Sequence, residues 1–120
     1  MSALAERVCV PCRGGIPPLT PPEFEPLLAQ IEPAWSVGIG RDRKGRDYAH
    51  LTRTYDFENF AEAMAFAVRV GGVAEEQQHH PDLHVAWGKV GVDLWTHKIA
   101  GLTESDFVFA AKCDVLYATT

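Results

Sequence analysis

Leu83-His84-Val85-Ala86-Trp87-Gly88-Lys89-Val90-Gly91-Val92-Asp93-Leu94-Trp95-Thr96-His97 is the stretch that decides the fold. Val90, Val92, Leu94 and Thr96 alternate with Gly91, Asp93, Trp95 and His97. A period of two belongs to a strand that buries one face. Gly88-Lys89 suits a tight turn, so Leu83 to Trp87 is predicted to be the antiparallel partner. The register sends Val90, Val92 and Leu94 toward a core and leaves Asp93, Trp95 and His97 on the opposite face. A tryptophan on that face points to a ligand or a partner subunit.

Working outward, Trp35 to Ile39 is short and apolar, Gly40 to Arg46 is a charged, glycine-containing loop, and Asp47 to Tyr55 alternates. Together they predict a second hairpin. Thr20-Pro21-Pro22-Glu23 has the spacing of a capping box, and Phe24, Leu27, Leu28 and Ile31 continue at helical spacing until Pro33. Asp56 is expected to cap a second helix. Its stripe Phe57, Phe60, Met64 and Val68 is assigned to the core, and Gly71-Gly72 does not prevent continuation to Glu76. His79-His80-Pro81 ends it. Thr103-Glu104-Ser105-Asp106 opens a third helix with apolar Phe107, Ala110, Ala111 and Val115. The order α-β-β-α-β-β-α predicts an α+β domain over residues 20–120, with a four-stranded antiparallel sheet covered on one face by three helices. Five of the eight prolines fall in the first 22 residues, so residues 1–19 are expected to form an extended arm.

A chain of 120 residues holds one core. Eleven Lys and Arg against 16 Asp and Glu give a formal charge of −5, which argues against direct nucleic-acid contact. No window has the apolar length of a membrane span, and no secretory leader is legible at Met1–Arg7. Three cysteines do not make a disulfide framework. A cytoplasmic location is expected.

The chemistry concentrates between Glu75 and Asp106. Four of the five histidines, His79, His80, His84 and His97, fall within 19 residues there. Alone, such a pair would be an ordinary solvated one, as His50 and His84 are expected to be. A zinc site drawn from His79, His80, His84, Cys9 and Cys12 is the sharper competitor. The second half of a four-cysteine pattern is missing, however, and adjacent histidines make poor joint ligands. Cys113 is expected to be a packed thiol.

The combined pattern is more specific than any of its parts. Glu75, three residues, His79-His80-Pro81, then Trp87, then Thr96-His97, then Asp106 resembles the signature of the pterin-4a-carbinolamine dehydratases. The resemblance spans roughly residues 20 to 118 and implies the same order of elements. It implies a hydro-lyase that expels water from 4a-hydroxytetrahydrobiopterin and leaves the quinonoid dihydropterin. The hydroxyl must gain a proton and N5 must lose one. Imidazoles, which titrate near neutrality, suit both transfers. The nitrogen lone pair drives hydroxide out, so the reaction calls for neither metal nor cofactor, the pterin being the substrate.

The resemblance further implies that His79 and His97 are the acid/base pair and that His80 orients the pterin. Glu75, one helical turn before His79, would sit beside that ring and fix its tautomer. Gln78, Pro81, Trp95, Thr96, His97 and Lys98 would contact substrate, and Trp35 would stack on the pterin. Asp106 and Trp87 are expected to give structural support, Trp87 as core or pocket wall. Implied partners are a second copy, as homodimer or homotetramer, and functionally an aromatic amino acid hydroxylase. The alternative on the same fold is a non-catalytic dimerisation or assembly factor.

Overall fold

A computed structural model describes residues 3–10 and 14–120. Helix α1 is Pro21–Leu28, α2 is Phe60–Gln77 and α3 is Glu104–Ala118. The strands are β1 (Ser36–Arg41), β2 (Asp47–Asp56), β3 (Asp82–Ala86) and β4 (Lys89–Leu94). They form one antiparallel sheet in the order β1-β2-β4-β3. The expected α+β architecture is present: three helices and a four-stranded antiparallel sheet.

The two hairpins join through β2 and β4, where Leu51 faces Leu94 and Tyr55 faces Val90. Val90, Val92 and Leu94 are fully buried, as the alternation required. Each contributes about 1.5–3 kcal/mol by leaving water. Phe66 and Val70 from α2 and Phe107 and Ala110 from α3 complete this layer.

Several expectations are corrected. Asp56 ends β2; the cap of α2 is Asn59, whose side chain accepts from Glu62 N–H at 2.9 Å. The buried face of α2 is Ala63, Phe66, Ala67, Val70 and Ala74. Phe60, Met64 and Val68 point outward, at 46%, 40% and 68% exposure. Both stripes have helical spacing, and the small alanines win the inner face because they let the helix approach the sheet closely. Trp87 is 72% exposed, so it is neither core nor pocket wall.

The arm is not wholly extended. Ala3–Glu6 forms a 3-10 turn whose Leu4 is fully buried. Cys9 N–H donates to Gln77 Oε1 (2.9 Å) and Val10 N–H to Ser105 Oγ (2.8 Å), so this segment ties the end of α2 to the start of α3. Cys9 is buried; burial, opposed in part by Lys112, pushes its thiol up to about 11. Cys113 is buried too, and burial raises its thiol further. Pro11, Cys12 and Arg13 lie outside the described residues, and with Cys12 one of the zinc ligands the sequence offered.

Candidate active site

Helix α2 stops where the histidines begin. Gln78 takes a left-handed conformation (φ 54°), and His79 N–H reaches back to Ala74 O at 3.2 Å. That is a helix end closed by a six-residue hydrogen-bonded turn. A left-handed glutamine costs about 1 kcal/mol relative to glycine. Its side chain compensates by donating from Nε2 to Glu75 O at 2.8 Å. The second histidine-bearing turn shows the same device: β4 ends at Leu94, and His97 opens a 3-10 turn, His97–Ile99, closed by left-handed Ala100 (φ 52°). An isolated bridge between Thr96 and Gly101 ties off its base. Gln78 and Ala100 are the only non-glycine residues of positive φ among the described residues. Strain of this kind collects where side chains must be aimed.

His97 therefore does not extend the β4 strand, as the alternation suggested; the turn lifts it away from the sheet. Gln78, His79, His80, Trp95, Thr96, His97 and Lys98 together line one cavity of about 390 Å3. Two separate segments of the chain thus meet at one end of the sheet.

Asp106 organises the interior wall. It is fully buried and its two oxygens divide the work. Oδ2 accepts from Thr96 Oγ1 and from Thr103 N–H, both at 2.9 Å, while Oδ1 lies 2.6 Å from His79 Nε2. A carboxylate can only accept, so Nε2 carries the hydrogen and Nδ1 is the ring atom left for a ligand. Asp106 is also the third residue of α3 and completes its capping box with Thr103. One residue fixes a helix start, a strand end and an imidazole.

Glu75 does not pair with His79. Its Oε2 lies 2.6 Å from His80 Nε2, and both side chains are exposed. The helical spacing from Glu75 to His79 fails because the helix ends at Gln77 and the chain swings through Gln78. His97 has no side-chain hydrogen bond to a described residue and packs its ring 4.1 Å from Trp95. Trp95 in turn stacks on Tyr48 at 3.7 Å and 10°. Tyr48 had no signal in the motif; the clue lay in Gly40 opposite it on β1, where any Cβ would collide with the tyrosine ring.

Four further residues fall outside the cavity. Trp35 is buried among core residues, edge-on to Tyr55, and donates from Nε1 to Asp114 at 3.0 Å. It is no platform for a pterin; it belongs to a buried cluster in which Asp114 also receives Arg53 Nη1 (2.7 Å) and Tyr55 Oη (2.6 Å). Burial, helped by Cys113 and Asp114, holds the Tyr55 phenol well above its usual range. Pro81 is half-buried and directs the chain into β3 without lining the cavity. His84 is exposed on β3, and His50 sits 3.2 Å from Asp93 on the uncovered sheet face. Among the described residues no three His, Cys, Asp or Glu side chains converge as a metal site would require, and no helix is long and apolar enough to cross a membrane.

The fold and the cavity define a class: a small α+β domain whose two strained turns gather imidazoles at one end of an antiparallel sheet. The family model for pterin 4 alpha carbinolamine dehydratase matches residues 17–116, and the chain belongs to that family. A relative from Rubrobacter xylanophilus, provisionally named pterin-4-alpha-carbinolamine dehydratase, is 53% identical over 116 residues, covering 97% of this chain and all of that one. A Chlorobium luteolum relative with the same provisional name is 49% identical over 98% of this chain and 97% of its own. The crystal structure of a transcriptional coactivator/pterin dehydratase from Brucella melitensis superposes with a TM-score of 0.71 at 30% identity, over 83% of this chain and 98% of that one. A pterin dehydratase-like RuBisCO assembly factor of the alpha-carboxysome shares the fold, with a TM-score of 0.56 at 22% identity over 72% of this chain and 93% of its own.

Proposed function

We propose that this protein dehydrates 4a-hydroxytetrahydropterins, releasing water and the quinonoid dihydropterin, by acid/base catalysis from the histidine cavity. The observation that carries the reading is the meeting of His79, His80 and His97 at one cavity lined also by Trp95, with His79 oriented by a buried carboxylate. A cavity of about 390 Å3 is within the range of small-molecule sites. Trp95, packed between Tyr48 and His97, supplies the aromatic wall of the cavity in place of Trp35. His79, through Nδ1, and His97, whose ring makes no hydrogen bond to a described residue, are the proton carriers. His80, held by Glu75, orients the pterin ring, with Gln78, Thr96 and Lys98 around it. Protonation of the 4a-hydroxyl and loss of the N5 proton let the lone pair of N5 expel water, so the step calls for no metal or cofactor. The free, buried thiols of Cys9 and Cys113 favour the reducing cytoplasm as the setting, and the product suits recycling for an aromatic amino acid hydroxylase.

The exposed stripe Phe60, Met64 and Val68 and the edge strands β1 and β3 support assembly as a homodimer or homotetramer. Sedimentation equilibrium showing a monomer at micromolar concentration would remove that part. An assembly factor without activity is the less favoured reading, because it has no use for an oriented imidazole beside a cavity. The test is dehydration of synthetic 4a-hydroxytetrahydropterin at pH 7 to 8. The protein is expected to exceed the buffer rate by orders of magnitude. A folded protein that adds nothing to the buffer rate refutes the assignment.

A further inference from the structure

The histidine cavity opens into a second, larger cleft of about 670 Å3, and the two share Trp95, His97 and Lys98. Arg41, Arg43, Lys44, Arg46 and Lys98 line it, five of the eleven Lys and Arg in a chain of formal charge −5. The acidic side chains of the lining are Asp42 and Asp82. Asp42 is committed to the β1–β2 turn: it accepts the N–H groups of Lys44 and Arg46, both at 2.9 Å, and pairs with Arg46 Nε at 2.8 Å. Arg41 pairs with Asp47 at 3.2 Å. Arg43, Lys44 and Lys98 have no ion pair or side-chain hydrogen bond to any described residue. Arg46 also donates from Nη2 to His97 O at 3.4 Å, which docks the cationic turn on the turn that carries the imidazole.

A surplus of unpaired cations gathered at the mouth of a neutral reaction's cavity has no part in moving protons at C4a. It raises the local concentration of anions and holds them. We propose that the cleft receives the substituent of the pterin and that this substituent is polyanionic, a phosphate ester or a glutamyl carboxylate chain. The proposal rests on the pterin reading of the neighbouring cavity. Trp95, His97 and Lys98 line both cavities, so a substituent leaving the histidine cavity past them meets Arg43 and Lys44.

The experiment measures binding to the full chain at 50 mM and 500 mM NaCl. Its probes are 7,8-dihydroneopterin, its triphosphate, a dihydropteroyl-polyglutamate and inorganic tripolyphosphate. An anionic pterin is expected to bind at least ten-fold tighter than neutral dihydroneopterin at low salt, with most of that advantage gone at high salt. The double variant Arg43→Gln/Lys44→Gln, altered only at exposed turn positions, is expected to lose the advantage and keep its affinity for the neutral pterin. Preference between triphosphate and polyglutamate identifies the anion. Equal affinity for charged and neutral pterins, or an advantage that survives the double variant, overturns the proposal and leaves the pterin reading standing. Tripolyphosphate binding as tightly as the pterin triphosphate means an adventitious anion site and also overturns it. Failure of every pterin to bind refutes both readings.

Discussion

Replacing His79 and His97 together by alanine is expected to lower the dehydration rate by at least about 10⁴-fold, since each proton carrier is worth about 10²–10⁴. The two substitutions differ in their structural cost. His97 is exposed and its ring packs on Trp95, so its removal is expected to leave the fold intact. His79 is one of three donors to a fully buried carboxylate. Its loss costs about 1–3 kcal/mol, the penalty of an under-satisfied buried group, but not the fold. Single-turnover kinetics beside far-ultraviolet circular dichroism separates the two effects. A double variant that keeps more than a tenth of the native rate contradicts the assignment of these imidazoles as proton carriers.

Asp106 offers the second large effect, and its two oxygens let structure and chemistry be separated. Asp106→Ala removes the acceptor of Thr96 Oγ1, of Thr103 N–H and of His79 at once. The lost cap and the unmet buried donors together cost about 3 kcal/mol, read as a fall in melting temperature of roughly 10 °C in a domain of this size. Asp106→Asn is milder. Its carbonyl can stand at Oδ2 and still accept from both threonines, whereas its amide now meets His79 Nε2 with a hydrogen. The imidazole must then carry its own hydrogen on Nδ1, the nitrogen that Asp106 leaves free. Stability is expected to change by about 1 kcal/mol or less, while turnover falls about 10²-fold. Equal loss of stability and activity in the asparagine variant would reduce Asp106 to a helix cap.

How far the sequence reached depended on what kind of signal each element offered. The β3–β4 hairpin was legible because alternation over Val90, Val92 and Leu94 permits one register only. The face of α2 was not. Phe60, Met64 and Val68 share helical spacing with Ala63, Phe66, Ala67 and Val70, and side-chain size favoured the wrong set. The histidines were found by their spacing to Glu75 and Asp106, yet their partners were exchanged. Helical geometry gave Glu75 to His79, but the left-handed turn at Gln78 gives it to His80 and leaves His79 to Asp106. Trp35 and Trp95 both carried the expectation of substrate contact. Only tertiary packing decides that the first bonds Asp114 in the core and the second lines the cavity. The cationic cleft is not legible in the sequence, because Arg43 and Lys98 lie on different turns that the docking of the β1–β2 turn on His97 brings together.

His79, His80 and His97 surrounding one pterin is the claim on which the mechanism stands. Imidazole resonances followed by NMR during titration with 7,8-dihydroneopterin test it most directly. These three are predicted to move together along one binding isotherm while His84, outside the cavity on β3, stays still. Saturable binding that leaves the trio unmoved, or moves His84 in their place, would contradict it.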